Sequence, residues 1–107
     1  MLTIKKIEHD VGIGIIRRWY VEYAGIQVGQ PKGRAQDAGK SLKRFQRILA
    51  AMRWDRLSDG YQVAVNFDNC SHRYSECSTV PMDSISLEDI ARVTARTLRH
   101  VDRETRN

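Results

Sequence analysis

Cysteine is scarce in this chain. Cys70 and Cys77 are its two copies, too few for the disulfide framework of small secreted domains, and they read as free thiols. The two prolines, Pro31 and Pro81, each fall where regular structure stops. No stretch approaches the ~20 consecutive apolar residues of a membrane span. The opening M-L-T-I-K-K-I-E-H-D lacks an apolar run of signal-peptide length. These absences set the expectation of a soluble, cytoplasmic protein with no membrane partner.

Chemistry-bearing motifs are missing too. Gly12-Ile13-Gly14 lacks the third glycine and the following helix of a dinucleotide loop. The segment G-Q-P-K-G-R at 29–34 precedes a helix and carries basic residues that could meet a phosphate. It lacks the G-K-[ST] spacing of nucleotide hydrolysis. RNP-type, zinc-finger and helix-turn-helix patterns are absent. Cys70, Ser71, His72 and Cys77 form C-x-H-x4-C, a spacing foreign to the usual C-x2-4-C zinc pairs. Asp68, Cys70, Ser71 and His72 are close in sequence, but a catalytic triad is defined by geometry rather than proximity along the chain. The expectation is a non-enzyme with no metal and no cofactor.

What is present is positive charge. Lys and Arg number 18 against 13 Asp and Glu, a net charge of +5 among 107 residues. A hydrophobic fraction of 41% supports one small core, so the sequence is read as one compact domain, 1–107. The basic excess favours nucleic acid, anionic surfaces or acidic proteins as partners and says nothing about fold.

The strongest periodic segment is Ala35–Arg56. Ala38, Leu42, Phe45, Leu49 and Met52 recur at the spacing of one apolar helix face. At about 100° per residue, Lys40, Lys43, Arg47 and Trp54 fall nearly opposite that face, with Arg44 beside them. A second helix starts at Ser86, an N-cap followed by Glu88 and Asp89 in the first turn, and runs to about Glu104. Leu87, Ile90, Thr94, Leu98 and Val101 are expected to face inward, and Arg92, Arg96, Arg99 and Arg103 form a row opposite them.

Strand signals fill the rest. Leu2–Glu8 alternates moderately. Ile13–Ala24 is rich in β-branched and aromatic residues, with Ile15, Trp19, Val21 and Tyr23 on one face and Arg18, Tyr20 and Glu22 on the wetter one. Arg17 falls on the core side, which predicts a bulge or a snorkelling stem there. Ile26–Val28 reads as a short extra strand or a loop. Tyr61–Phe67 alternates cleanly, with Tyr61, Val63, Val65 and Phe67 on one side. His72–Val80 is expected to pair back with Phe67 opposite His72 and Gln62 opposite Cys77, and Pro81 closes it. The order β-β-α-β-β-α predicts an α+β two-layer sandwich, an antiparallel sheet with two helices on one face.

The segment R-R-W-Y-V-E-Y-A-G-I-Q-V-G and the basic helix after it resemble part of the arm-type DNA-binding modules of tyrosine recombinases. The likeness covers about residues 15–52. It departs from that pattern at Gly29–Arg34, where the family has an aromatic third strand. It implies a three-stranded sheet with one helix, docked in a DNA groove through Arg18, Tyr20 and Glu22.

Two functional readings follow. In the first, the basic helix faces (Lys40, Lys43, Arg44, Arg47, Arg92, Arg96, Arg99 and Arg103, with Trp54 as a stacking platform) bind the backbone of DNA or RNA. Helices on one side of a sheet would merge these rows into one platform. In the second, a protein-interaction module, an inhibitor or adaptor of mobile-element type, grips an acidic protein surface. A homodimer through a strand edge or the exposed sheet face is a further expectation.

Overall fold

In a computed structural model, which describes residues 1–77 and 85–106, short turns rich in positive φ fold the strands into two antiparallel sheets. The strands are β1 (Leu2–Asp10), β2 (Ile15–Tyr23), β3 (Ile26–Gln27), β4 (Met52–Leu57), β5 (Gly60–Phe67) and β6 (Cys70–Cys77). The helices are α1 (Ala35–Ala50), between β3 and β4, and α2 (Leu87–Thr105) after β6. The α+β content, the antiparallel pairing and the alternation of strands with helices hold. The strands divide between two three-stranded sheets, β1-β2-β3 and β4-β5-β6, where the sequence reading has a single sheet. The chain correspondingly forms two compact units, Met1–Gln46 and Arg47–Asn107. The expected close of β6 at residues 78–81 lies outside the described residues.

In the first unit, β1 and β2 pair without interruption from Leu2 opposite Tyr23 to Asp10 opposite Ile15. The hairpin closes with Val11 N–H donating to Gly14 O at 3.0 Å, and Asp10 Oδ1 accepts from Gly12 N–H at 2.9 Å. Ala24 and Gly25, both at positive φ, make the two-residue turn into β3 that the strand twist prefers. Val28 and Gly29 then both donate to the Val21 carbonyl, and Lys32 exchanges two backbone hydrogen bonds with Trp19. The loop read at 29–33 is therefore tied back along β2.

No bulge occurs at Arg17. It opposes Glu8 in regular register, with its side chain exposed beside the Glu8 carboxylate at 3.3 Å. The reason is that burial is confined to the other end of the hairpin. Val21 is buried, whereas Ile15 and Ile16 are exposed, so the Arg17 position never meets the core. The core of this unit joins Val21, Val28, Ala38 and Phe45, all buried. A Cβ at Gly29 would lie 3.1 Å from Phe45 Cε2, so the missing side chain lets the backbone pass under the ring.

The second unit begins within the last turn of α1. Helix α1 stops at Ala50, and Met52–Leu57 is a strand rather than helix. Met52 extends the apolar helix stripe, which hides the change of period. The competing signal is the alternation Met52, Trp54, Arg56, paired with Val65, Val63 and Tyr61. Packing of Met52 and Trp54 against the cluster of Tyr61 and Val63 outweighs helix propensity. As expected, Tyr61, Val63, Val65 and Phe67 are the buried side of β5. The turn after Phe67 is tighter than expected: Asp68 and Asn69, at φ 44 and 65, form a two-residue loop. Phe67 thus opposes Cys70, Val65 opposes His72 and Gly60 opposes Cys77. The register moves by two residues, which preserves faces and changes neighbours.

Helix α2 is capped as the sequence predicts, with Ser86 accepting from Asp89 N–H at 3.1 Å. Val93, Thr94, Leu98 and Val101 are buried, and Val93 joins Tyr61 and Val63 in a cluster edged by Met52, Trp54, Tyr74 and Ile85. Leu87, expected inside, is 83% exposed. Full burial on α2 begins only at Val93, so the first turn of the stripe has no core to enter. No described helix is long and apolar enough to cross a membrane.

Candidate anion-binding helix faces

Helix α2 lies along β6 with a residue-by-residue correspondence. The helix-side positions of β6 are Cys70, His72, Tyr74 and Glu76, because their partners Phe67, Val65, Val63 and Tyr61 are the buried face of β5. On the helix, Arg96 and His100 are one turn apart. The Arg96 guanidinium lies 5.6 Å from the Tyr74 ring centroid and donates to Tyr74 Oη at 3.2 Å. The His100 and His72 rings lie against each other, tilted by 34°, with centroids 4.1 Å apart. Tyr61 Oη donates to Glu76 Oε2 at 2.7 Å, and Tyr74 Oη donates to the same oxygen at 3.3 Å. Burial, then the bond to Glu76, pushes the Tyr61 hydroxyl well above the usual phenol range, so it stays protonated and donating. Arg96 is therefore an exposed cation whose position is fixed by a chain of hydrogen bonds.

The other three arginines of the row, Arg92, Arg99 and Arg103, are exposed as expected. Arg92 meets Asp89 Oδ1 at 2.6 Å, and Arg103 approaches Glu104 at 4.0 Å. Both pairs are on the surface, where such pairs are worth about 0–1 kcal/mol and yield readily to a competing anion. On α1, Lys40, Lys43 and Arg47 are exposed and Arg44 is half-buried. The Arg47 guanidinium sits 5.1 Å from the Phe67 ring centroid. Lys40, Lys43 and Arg44 belong to the first unit, and Arg47 and the α2 row to the second.

Trp54 does not belong to either helix face. It stands on β4, its ring centroid 5.5 Å from that of Tyr61, packed against the apolar cluster of the second unit. It is half-buried at the edge of that core, whereas the sequence reading places it in the last turn of a helix. Tyr74 and Glu76, which position Arg96, were missed in the sequence reading. Their signal is the period-two placement of Cys70, His72, Tyr74 and Glu76, legible only once the β5–β6 register is known.

Cys70 is a half-buried free thiol. The register sets Cys70 and Cys77 at opposite ends of β6, roughly 23 Å apart along an extended strand. Among the described residues, no three His, Cys, Asp or Glu side chains converge on a point that could hold a metal. A shallow polar pocket of about 440 Å³ is bounded in part by Asp68, Cys70, Ser71, His100 and Glu104.

Burial of His72 beside His100 makes stability depend on pH. Burial, followed by repulsion from His100, lowers the His72 pKa below the ordinary value of 6.5. The unfolded chain therefore takes up this proton more readily than the folded one. The contribution is complete above pH 6.5 and is lost as pH falls through 6.5 toward the folded-state value. Urea midpoints should be level from about pH 8 to 7 and decline below 6.5, and His72→Gln should flatten that decline. An unchanged acid limb in the variant would show that other groups set it.

Comparison with protein-family models, curated proteins and solved structures finds no match to this chain.

Proposed function

We propose that this chain is a small, basic, non-enzymatic module that binds the backbone of DNA or RNA through its helix faces. The contacts are Lys40, Lys43, Arg44 and Arg47 on α1 and Arg92, Arg96, Arg99 and Arg103 on α2. One observation carries the reading: all four α2 arginines are exposed along one helix whose other side is buried in the core. Arginine predominates in the row, and its planar fork matches phosphate oxygens. Such contacts give affinity with little sequence preference.

The test is a titration of duplex and single-stranded oligonucleotides at two salt concentrations. With about five phosphates engaged on a duplex, log K should fall with log salt at a slope of roughly −4 to −5. No binding at low salt, or binding unmoved by salt, overturns the proposal.

A second reading is favoured by a different observation. Val11, Ile13, Ile15 and Ile16, at and beside the tip of the β1–β2 hairpin, are all exposed, and clustered exposed apolar residues mark protein-interaction sites. In that reading the module is an inhibitor or adaptor, its tip meeting an apolar surface and its arginines an acidic one. A tagged-chain pull-down with and without nuclease separates the two. A partner protein retained after digestion supports the second reading, and loss of all retained material supports the first.

A further inference from the structure

We infer that the outer edge of β1 pairs antiparallel with β1 of a second copy, centred on Ile7, to join two three-stranded sheets into one of six strands. This rests on the edge of the first sheet and is independent of what the helix faces bind.

Among the described residues, β1 is the terminal strand of its sheet, with β2 on one side alone. It is nine residues long, contains no proline, and pairs with β2 in unbroken register. A long regular edge without a bulge or proline presents a row of backbone donors and acceptors that templates another strand. Charges usually blunt such an edge. In β1 they instead select one register.

Two copies of one edge strand pair about a two-fold axis perpendicular to the sheet, and opposed residues then share a face. A centre on Lys5, Lys6 or Glu8 opposes that charge to itself, which is destabilising. A centre on His9 opposes Glu8 to Asp10, and a centre on Ile4 keeps only Leu2–Lys6 within the strand and gives Lys6 no acid. A centre on Ile7 opposes Ile7 to Ile7, Lys5 to His9, Ile4 to Asp10, and Lys6 to Glu8 twice. It is the one long register with complementary charge at its heart.

The side chains are placed for it. Lys6 and Glu8 share a face and already meet within the chain at 3.0 Å, and Arg17 meets the same Glu8 oxygen, Oε1. A lysine from across the new ladder has Oε2 to approach. Ile7, on the opposite face, is half-buried and gains an apolar partner at the symmetry axis.

The experiment measures mass in solution by light scattering over a range of concentrations. The wild-type chain is expected to reach twice the monomer mass. Lys6→Glu and Glu8→Lys each turn both attractive pairs repulsive, and each should raise the dissociation constant on the order of tenfold or more. An equimolar mixture of the two variants makes every cross-strand pair complementary again, so the dimer should return. A wild-type chain that stays monomeric overturns the inference. So do variants that dimerise undiminished, or folded variants (checked by circular dichroism) whose mixture stays monomeric. Should a variant fail to fold, cross-linking decides. With Cys70 and Cys77 replaced by serine, Ile7→Cys should oxidise to a covalent dimer and Thr3→Cys, placed opposite Val11 beyond the strand, should not. Equal cross-linking of both, or none at Ile7→Cys, overturns the register.

Discussion

Phe45→Ala should reduce the stability of the first unit by about 3–5 kcal/mol, the usual loss when a buried aromatic is truncated to alanine. Phe45 is fully buried on α1, and its ring stands over the backbone at Gly29, with Val21 beside it. The glycine has no side chain with which to fill the space, and Val21 and Val28 are held by the backbone bonds that pin this loop. The cavity therefore remains largely open, which puts the cost at the upper end of the range. A loss of that size is comparable with the whole stability of a small domain. Each unit carries one tryptophan, Trp19 in the first and Trp54 in the second, so the effect can be assigned. In a Trp54→Phe background, the urea transition reported by Trp19 fluorescence should move to little or no urea. Phe45→Leu, which keeps most of the volume, should recover much of the loss. A Phe45→Ala chain with an unmoved Trp19 transition would mean that the Phe45–Gly29 packing does not hold the first unit together.

The sequence was most readable where one face is buried and the other wet. Tyr61–Phe67 alternates because the side chains of Gln62 and Asn66 lie away from the core, and the cap at Ser86 is a local signal that needs no tertiary partner. Strand β4 was unreadable for a physical reason: Met52 satisfies both a helical stripe and a strand face, and the choice is made by Val63 and Val65 across the ladder. Strand β6 was weakly patterned because its helix-side positions are Cys70, His72, Tyr74 and Glu76. Three of them are polar positions met from another element: His72 by His100, Tyr74 by Arg96 and Glu76 by Tyr61. An alternation of apolar and polar residues cannot report a face whose polar groups find partners on another element.

The arginine row of α2 was legible because helical period alone puts Arg92, Arg96, Arg99 and Arg103 together. Its anchoring was not. The partner of Arg96 depends on the β5–β6 register, and a four-residue turn was expected where Asp68 and Asn69 make a two-residue one. Trp54 leaves the α1 face because it belongs to β4. Candidate faces thus came from local periodicity, and what orders their side chains came from long-range pairing.

Replacing Arg96 and Arg99 together by glutamine should weaken duplex binding on the order of a hundredfold near 0.1 M salt and reduce the salt slope by about two. The magnitude follows from counterion release. Each phosphate contact contributes about 0.9 to the slope, so two lost contacts remove nearly two decades of affinity at that salt. From an initial slope of roughly −4 to −5, the variant should show about −2 to −3. Glutamine keeps a donor within reach of Tyr74, so the Tyr74–Glu76–Tyr61 hydrogen bonds have less cause to rearrange than they would with glutamate. The control removes the same charge elsewhere. Arg53 and Arg73 are exposed and flank Ala64 on neighbouring strands, on the sheet face away from the buried positions of β5. Arg53→Gln with Arg73→Gln changes net charge equally and should cost only a few-fold. If both double variants lose affinity alike, binding follows total charge rather than the α2 row. If the control loses more, the outer sheet face is the contact, and the helix-face reading is overturned.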